Sequence, residues 1–213
     1  RPVFAARKPV FIDKPLAGSL KDAIAIYKLA KESGVPCFST SSLRYYPGLV
    51  KLKQTDIGEL RAAHSTGPCT LEEHHPDLYW YGIHPTEALY AVMGRGCETV
   101  SRTHTADTDV VTGVWTGGRV GILQGIRNAK AQYRVTVFGT KAVADQEPGG
   151  DYTPMLREVV TFFQTGVSPV PMEETLEIMA FMEAADESKR QGGAPVKIAD
   201  VLKANGWSPV GKR

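Results

Sequence analysis

The sequence has no strong excess of charge of either sign. Its 213 residues contain 25 basic and 23 acidic side chains, which gives a formal net charge of +2. Nucleic-acid-binding proteins usually carry a concentrated positive field, so we expect no nucleic acid among the partners. No apolar run approaches the ~20 residues that cross a bilayer, so a membrane is not an expected partner either.

Cysteine is also scarce. Cys37, Cys69 and Cys97 are an odd number, and none of them forms a C-x-x-C pair. This spacing indicates neither a disulfide framework nor a thiolate metal site. We expect the three cysteines to act as small buried hydrophobic side chains.

The stretch from Pro9 to Pro15, P-V-F-I-D-K-P, carries the most information about chemistry. Val10–Ile12 is a short apolar run between prolines, which is typical of a buried strand in a parallel sheet. Asp13 and Lys14 then fall at the carboxyl end of the strand, where open α/β sheets bind ligands. Spacing alone leaves a solvated Asp-Lys turn open as the alternative.

A helix and a second strand are predicted next. Ser19 and Asp22 form an S-x-x-D capping box, and Gly34 occupies the position of a C′ glycine. Val35–Phe38 then predicts another short strand. Strand, D-K-P, helix and strand together make one βαβ unit.

This part of the sequence resembles the glucose–fructose oxidoreductase, inositol dehydrogenase and MocA (Gfo/Idh/MocA) family. The resemblance rests on three segments in order: K-P-V-F-I-D-K-P-L-A, A-K-E-S-G-V-P-C-F and an R-Y pair. In that family an E-K-P signature carries the catalytic lysine, and Asp13 here is one methylene shorter than the glutamate. The resemblance implies that Lys14 is catalytic. It also implies that Asp13, Lys14, Pro15 and Arg44 contact NAD or NADP, and that Tyr45 contacts the substrate.

The family also carries a nucleotide-binding half with a G-x-G-x-x-G turn, and this sequence contains no such turn. At ~30 residues per βαβ unit, we expect roughly a hundred residues of that half to lie outside it. We therefore interpret residues 1–48 as the remnant of a dinucleotide-binding Rossmann domain. Residues 49–213 are interpreted as a C-terminal α+β domain for substrate binding and oligomerisation. The isolated chain is expected to be inactive.

A second informative stretch runs from Leu78 to Gly94. Pro85 and Gly94 delimit a helix, and His84 is predicted just before its N-terminus, where the helix dipole disfavours a protonated imidazole. A neutral imidazole there is a usable base or hydrogen-bond partner, and simple packing against the cap is the alternative. The stretch resembles the family's D-x-x-x-H helix, which implies that His84 supports Lys14 and contacts the substrate.

The aspartate of that motif is Trp80 in this sequence. The change removes a carboxylate that assists the lysine and histidine in inositol-dehydrogenase-like members. Trp80 and Tyr81 offer flat apolar faces that stack on sugar rings, so we consider both as substrate contacts, with core packing as the alternative. The H-H-x-D pattern that begins at His74 lacks the ligand spacing of a metal site, and no metal is expected. It falls in a predicted loop, Thr66–Pro76.

The middle of the chain is rich in strands. The segments are Glu59–Ser65, Val100–Thr105, Thr108–Thr116, Arg119–Ile126 and Tyr133–Phe138, with Gly139–Ala142 as a turn into a final strand. Turns such as T-G-G link neighbouring segments as hairpins. The predicted fold class is therefore α/β (α+β), in which the end of a Rossmann-like βαβ unit precedes an open, mostly antiparallel sheet with helices on one face. A bare sheet face predicts a homo-oligomer built through it.

Two helices are predicted to close the chain, one ended by Gly166 and the other followed by Gly192. Their core-facing stripes are Leu156, Val159, Val160 and Phe163 in the first, and Met172, Leu176, Met179 and Ala180 in the second. The segment that contains these helices resembles the closing segment of the same family, in the text F-F-Q-T-G-V-S-P-V-P-M-E-E-T-L-E-I-M. The resemblance thus extends over nearly all of the sequence.

Three functions stay open at this point. The resemblance implies an NAD(P)-dependent oxidoreductase that acts on a sugar or polyol by hydride transfer. An NAD-dependent, redox-assisted glycosidase of the same fold is the first alternative, because the missing aspartate is compatible with it. A non-catalytic sugar-binding or oligomerisation module is the second.

Overall fold

The computed structural model of the protein describes residues 2–207. The helices of this part are α1 (Pro2–Ala5), α2 (Leu20–Ser33), α3 (Pro47–Gln54), α4 (Ile83–Met93), α5 (Thr153–Thr165), α6 (Met172–Arg190) and α7 (Ile198–Ala204). The strands are β1 (Val10–Phe11), β2 (Cys37–Phe38), β3 (Leu60–Pro68), β4 (Cys97–His104), β5 (Thr108–Trp115), β6 (Arg119–Ile126), β7 (Arg134–Gly139), β8 (Val143–Asp145) and β9 (Val196–Lys197). Single turns of 3-10 helix occur at Ser42–Tyr45 and Asp77–Tyr79.

The N-terminal segment forms the expected βαβ unit. Strands β1 and β2 are parallel, with Phe11 opposite Phe38. The Ser19 hydroxyl accepts a hydrogen bond from the Asp22 N–H at 3.1 Å and caps α2. Gly34 ends this helix with φ of 62°, a left-handed conformation that glycine adopts without strain. The local signals in the sequence are therefore confirmed.

The larger sheet has the strand order β8-β7-β3-β6-β5-β4-β9. Its neighbouring strands are antiparallel except for β3 and β6, which run parallel. The predicted open, mostly antiparallel sheet is confirmed. The parallel pair was not foreseen, because β3 and β6 are separated by a helix and two strands along the chain.

Trp115 fills the space between the sheet and the helices that cover it. Its ring lies over Gly113 and Gly121, which are opposite each other on β5 and β6. A Cβ added to them would fall 2.5 and 2.6 Å from the ring, so only glycine fits at these two positions. Tyr90 of α4 and Phe181 of α6 pack on the same ring, at centroid distances of 5.5 and 6.0 Å. This aromatic group joins both helices to one face of the sheet.

The prediction that the stripe Leu156, Val159, Val160 and Phe163 of α5 faces the core was wrong for three of these four residues. The residues of that stripe that stay about half exposed are Leu156, Val160 and Phe163. The buried face of the helix instead carries Val159 and Phe162, and the Phe162 ring lies 4.6 Å from that of Phe38. Since α5 has apolar residues on two faces, periodicity alone could not select the buried one.

Three other expectations need correction or stay open. Thr66–Pro68 continues strand β3 and is not part of the predicted loop. The two predicted closing helices are followed by β9 and α7, which are short and carry weak periodicity. The domain boundary proposed at residue 49 falls inside α3 and stays a prediction.

All three cysteines are buried and free, as expected. No helix between residues 2 and 207 combines the length and apolarity needed to cross a membrane.

A buried network of charges ties the loop before α4 to the sheet and to α6. The Arg102 guanidinium on β4 is fully buried and bonds to Asp77 at 2.8 Å, Asp109 at 2.8 Å and Asp186 at 2.6 Å. These carboxylates lie on the 3-10 turn, on β5 and on α6, so one side chain connects three elements. Lys189 completes the group with a 2.8 Å contact to Asp77.

We expect Arg102→Met to lower the free energy of unfolding by ~3–5 kcal/mol, because it leaves buried carboxylates without their partner. The measurement is urea-induced unfolding monitored by circular dichroism. Arg134→Met is the matched control, since Arg134 is 58% exposed and pairs with Asp145 at the surface. Its loss should cost less than ~1 kcal/mol. Equal effects of the two substitutions would contradict this assignment.

Candidate active site

Lys14 lies at the carboxyl end of β1 and reaches across to the loop before α4. Its Nζ donates a hydrogen bond to the Trp80 carbonyl oxygen at 3.2 Å. The same nitrogen lies 5.2 Å from the centre of the Trp80 ring and 5.7 Å from that of Tyr81. Two aromatic faces and one carbonyl therefore surround the amine. The peptide bond that follows, Lys14–Pro15, is cis.

The environment of Lys14 favours its neutral form more than water does. Partial burial lowers the pKa of the amine, and the nearby Asp13 carboxylate opposes this shift. A buried ammonium loses hydration that two ring faces replace only in part. Asp13 itself is exposed at the end of the strand. Lys14 is thus the group in this part of the structure whose position and pKa both suit proton transfer.

His84 lies close to Lys14 but not quite where the sequence placed it. It is the second residue of α4, so it lies within the first turn and not ahead of the helix. Its Nδ1 is 2.7 Å from the Ser41 hydroxyl. That hydroxyl also accepts a hydrogen bond from the Leu43 N–H at 3.3 Å, which leaves its own proton to be donated to Nδ1. This pattern favours the tautomer with hydrogen on Nε2, which can then donate to a substrate oxygen.

The His84 imidazole is neutral at physiological pH. Burial, with the positive charge of Lys14 as a second cause, lowers its pKa to about 4. The direction agrees with the sequence-based expectation of a neutral imidazole, although the expected cause was the helix dipole. A group with such a pKa is a weak base at pH 7, so His84 is better suited to donating a hydrogen bond than to accepting a proton.

Further aromatic rings pack around His84 and around Trp80. Tyr81 and Tyr133 lie edge-on to the His84 ring, with centroid distances of 5.6 and 5.8 Å. On the other side, His75 packs against Trp80 at 4.5 Å, and Glu72 holds the His75 Nδ1 at 2.6 Å. His75 of this loop therefore supports the indole ring.

Two further predicted site residues have different surroundings. Arg44, proposed as a cofactor contact, is buried and paired with Glu87 at 2.9 Å and Glu174 at 2.7 Å. Its charge is taken up inside the fold, so we assign it a structural role that connects the 3-10 turn to α4 and α6. The hydroxyl of Tyr45 is also buried, and this burial raises its pKa to about 12. No bond joins Tyr45 to Lys14 or His84 among the described contacts.

Ser41 and Tyr133 complete the site, and neither was singled out from the sequence. Ser41 belongs to the polar run Ser39–Ser42, where all four residues are buried. Buried hydroxyl groups after a strand are a usable signal for such a partner. Tyr133 lies in the loop before β7 and has no local signal at all, because its contact with His84 depends on the pairing of β3 with β7.

Comparison with known proteins identifies the fold. No protein-family model and no curated protein sequence matches the chain. Among solved structures, a probable dehydrogenase from Thermotoga maritima superimposes with a TM-score of 0.82 at 21% identity, covering 93% of this chain and 75% of that protein. GenD2 from gentamicin A biosynthesis, in complex with NAD, gives 0.77 at 20% identity, covering 92% and 73%. Aldose-aldose oxidoreductase from Caulobacter crescentus, complexed with glycerol, gives 0.74 at 16%, also covering 92% and 73%.

The chain therefore has the fold of dehydrogenases and oxidoreductases of the Gfo/Idh/MocA type. The seven-stranded sheet and its helices correspond to the C-terminal domain of these proteins. The fold implied by the D-K-P segment, the His84 helix and the closing segment is confirmed.

We expect nuclear magnetic resonance titration of the chain to give a pKa of about 4 for His84. Lys14→Met should raise this pKa because it removes the nearby positive charge, whereas Lys14→Arg keeps the charge and should leave the value low. Two-dimensional ¹⁵N–¹H spectra report both the pKa and the Nε2–H tautomer, and His84→Gln assigns the signal among the five histidines. Titration near ~6.5 in the unaltered chain would contradict the proposed burial.

The same shift has a consequence for stability. Between pH ~6.5 and about 4, the unfolded chain binds a proton at this imidazole that the folded chain does not bind. The contribution of His84 to the free energy of unfolding is therefore present above pH ~6.5 and declines as the pH falls through this window.

Proposed function

We propose that this chain carries the substrate-facing part of the active site of an NAD(P)-dependent oxidoreductase that acts on a sugar or polyol by hydride transfer. The observation that carries the proposal is the Lys14 amine, whose pKa is lowered by burial at the carboxyl end of a parallel strand. This amine lies beside a neutral histidine with a fixed ring orientation.

Oxidation of a secondary alcohol removes a hydride from carbon and a proton from oxygen. The neutral Lys14 amine accepts that proton and becomes an ammonium ion, and it returns the proton in the reverse direction. A lysine with the ordinary pKa of ~10.4 is almost fully protonated at pH 7, so the lowered pKa is needed for this role. The Trp80 carbonyl, 3.2 Å from Nζ, gives the ammonium form a hydrogen-bond acceptor.

His84 orients the reacting alcohol. With Nδ1 held by Ser41, its Nε2–H is free to donate a hydrogen bond to the substrate oxygen. This bond would hold the oxygen near Lys14 without competing for its proton, because His84 is a much weaker base. Trp80 and Tyr81 supply apolar faces for the carbon side of a sugar ring.

The strand end formed by Asp13, Lys14 and Pro15, of which Asp13 is exposed, suits a dinucleotide, since open α/β sheets bind ligands at the carboxyl ends of their strands. A nicotinamide bound there would accept the hydride. We propose that a glycine-rich nucleotide-binding half works together with this site. The NAD held by GenD2 and the glycerol held by the Caulobacter crescentus enzyme support this choice of cofactor and substrate class.

In the complete natural polypeptide, we expect Lys14→Met to lower turnover ~10²–10⁴-fold, because a general acid–base group is lost while the side-chain length is kept. Binding of NAD(P) should survive the substitution. The measurement is NAD(P)H absorbance with a panel of sugars and polyols, together with calorimetric titration of the cofactor.

Lys21→Met, at an exposed lysine of α2, is the matched control and should keep full activity. Near-normal turnover of Lys14→Met would remove the proposed mechanism. Release of a sugar without net NAD(P)H would instead identify a redox-assisted glycosidase. Sugar binding without turnover in either assay would indicate a binding module.

We also propose that the protein forms a homo-oligomer through the uncovered face of the large sheet. Phe138, Ala62, Val120 and Val114 lie in one row across β7, β3, β6 and β5. Phe138 and Val114 are 41% and 37% exposed, so this row places apolar surface in water. A second copy of the same face would cover it.

We expect sedimentation velocity to find an oligomer that Val114→Glu combined with Phe138→Glu converts to monomer, since buried unpaired carboxylates oppose association. Val160→Glu is the control that tests whether the effect is specific to the sheet face. It alters an apolar residue of α5 that is 54% exposed but lies away from the sheet, and it should leave the oligomer intact. A monomeric unaltered protein at micromolar concentration would refute the proposal.

A further inference from the structure

A cavity next to His84 is not used by the mechanism described above. It is a half-open pocket of about 340 Å³ between the start of α3, the end of β3 and the loops on either side of β7 and β8. Its main walls are Tyr46, Pro68, Tyr133 and the Pro148–Gly150 segment. An apolar cavity of ~150 Å³ already holds a benzene molecule, so this one has room for a six-membered ring with substituents. We refer to it as the Tyr46–Tyr133 subsite.

The subsite is connected to the reacting groups through Tyr133. The ring of this tyrosine forms one wall of the cavity and also lies edge-on to the His84 ring, with centroids 5.8 Å apart. A molecule that places its alcohol carbon at Lys14 and His84 and extends past the Tyr133 ring would meet the subsite with a second group attached to the first ring.

Two close backbone contacts hold the aromatic walls in place. A Cβ at Gly150 would fall 2.3 Å from the Tyr46 ring, and one at Gly67 would fall 2.7 Å from the Tyr133 ring. Both rings thus lie directly on backbone, which limits their motion. Rigid aromatic surfaces bind flat ligands at a low cost in conformational entropy.

The lining contains no charged side chain. The nearest acidic residues along the chain are already engaged, Glu147 with Lys51 and Asp151 with the Thr153 N–H. Gln132 and the tyrosine hydroxyl groups are neutral hydrogen-bonding partners that suit hydroxyl groups. A phosphate or carboxylate would find no counter-charge among these lining side chains.

We propose that the Tyr46–Tyr133 subsite binds an uncharged second ring of the substrate. The substrate is then a glycoside, and not a free or phosphorylated monosaccharide. This inference rests on the proposed function for the position of the reacting sugar. The second ring can be another sugar or an aromatic group, since both present an apolar face to the tyrosines.

The test measures affinities directly and needs no turnover. The chain is titrated with methyl β-D-glucopyranoside, phenyl β-D-glucopyranoside, cellobiose and glucose 6-phosphate, and binding is followed by amide shifts in nuclear magnetic resonance spectra. Phenyl glucoside, cellobiose or both should bind roughly tenfold more tightly than methyl glucoside, as expected for one added aromatic contact. The shifts should include Gly149 and Gly150. A preference for the phenyl group or for cellobiose identifies the kind of second ring.

Variants of Tyr46 distinguish stacking from general packing. Tyr46→Ala should abolish the preference over methyl glucoside, and Tyr46→Phe should keep it because the ring is retained. Tyr152→Ala is the control, since Tyr152 is exposed and does not line the cavity. Equal affinities for all neutral ligands, tightest binding of glucose 6-phosphate, or a preference that survives Tyr46→Ala would overturn the proposal. Failure of the enzyme assay alone would count against the proposed function, while these affinity ratios would still decide on the subsite.

Discussion

The buried pairing of Arg44 with Glu87 fixes the relation between the two parts of the candidate site. Arg44 and Ser41 are three residues apart on one side, and Glu87 and His84 are three residues apart on α4. The contacts Arg44–Glu87 and Ser41–His84 therefore have the same register, and the ion pair at 2.9 Å sets the distance at which Ser41 meets the imidazole. Removing one member of a buried pair typically costs ~3–5 kcal/mol, far more than one hydrogen bond contributes. The Arg44–Glu87 ion pair thus determines the distance between Ser41 and His84, and the Ser41 hydroxyl determines the tautomer of the imidazole.

Trp80 stands where the similar D-x-x-x-H motif has an aspartate, and this difference changes which groups set the pKa of Lys14. A carboxylate at this place would stabilise the ammonium form strongly. The indole ring and the Trp80 carbonyl stabilise it weakly, since a cation–π contact contributes ~0.5–2 kcal/mol. Burial acts in the opposite direction and lowers the pKa of Lys14. Burial can therefore supply a neutral amine even though the Asp13 carboxylate lies nearby, and the histidine is left as a hydrogen-bond donor.

Local features of the fold were predictable from sequence, and features that depend on distant partners were not. The cap at Ser19, the glycine at Gly34 and the strand before Lys14 each follow from residues within a few positions. Ser41 and Tyr133 enter the site only through contacts across 43 or more residues, which no local pattern encodes. The pairing of Arg44 was not predicted for the same reason, because its carboxylate partners lie on α4 and α6, and its contact with the cofactor stays a prediction. The predicted orientation of α5 was wrong because the helix has two apolar faces and only tertiary packing selects which one is buried.

The distribution of charge around the site also limits its chemistry. The buried guanidinium groups of Arg44, Arg102 and Arg127 are all matched by carboxylates within the fold. Within residues 2–207, Lys14 is then the cation next to His84, and its proposed task requires it to be neutral. An anionic substrate would find aromatic rings, hydroxyl groups and backbone there, none of which replaces the hydration of a phosphate. A polyhydroxylated neutral molecule loses less on entering, because each of its hydroxyl groups exchanges water for a neutral partner and its carbon face covers Trp80, Tyr81 or Tyr133. The same electrostatic argument that makes Lys14 a usable base therefore favours an uncharged sugar or polyol as its substrate.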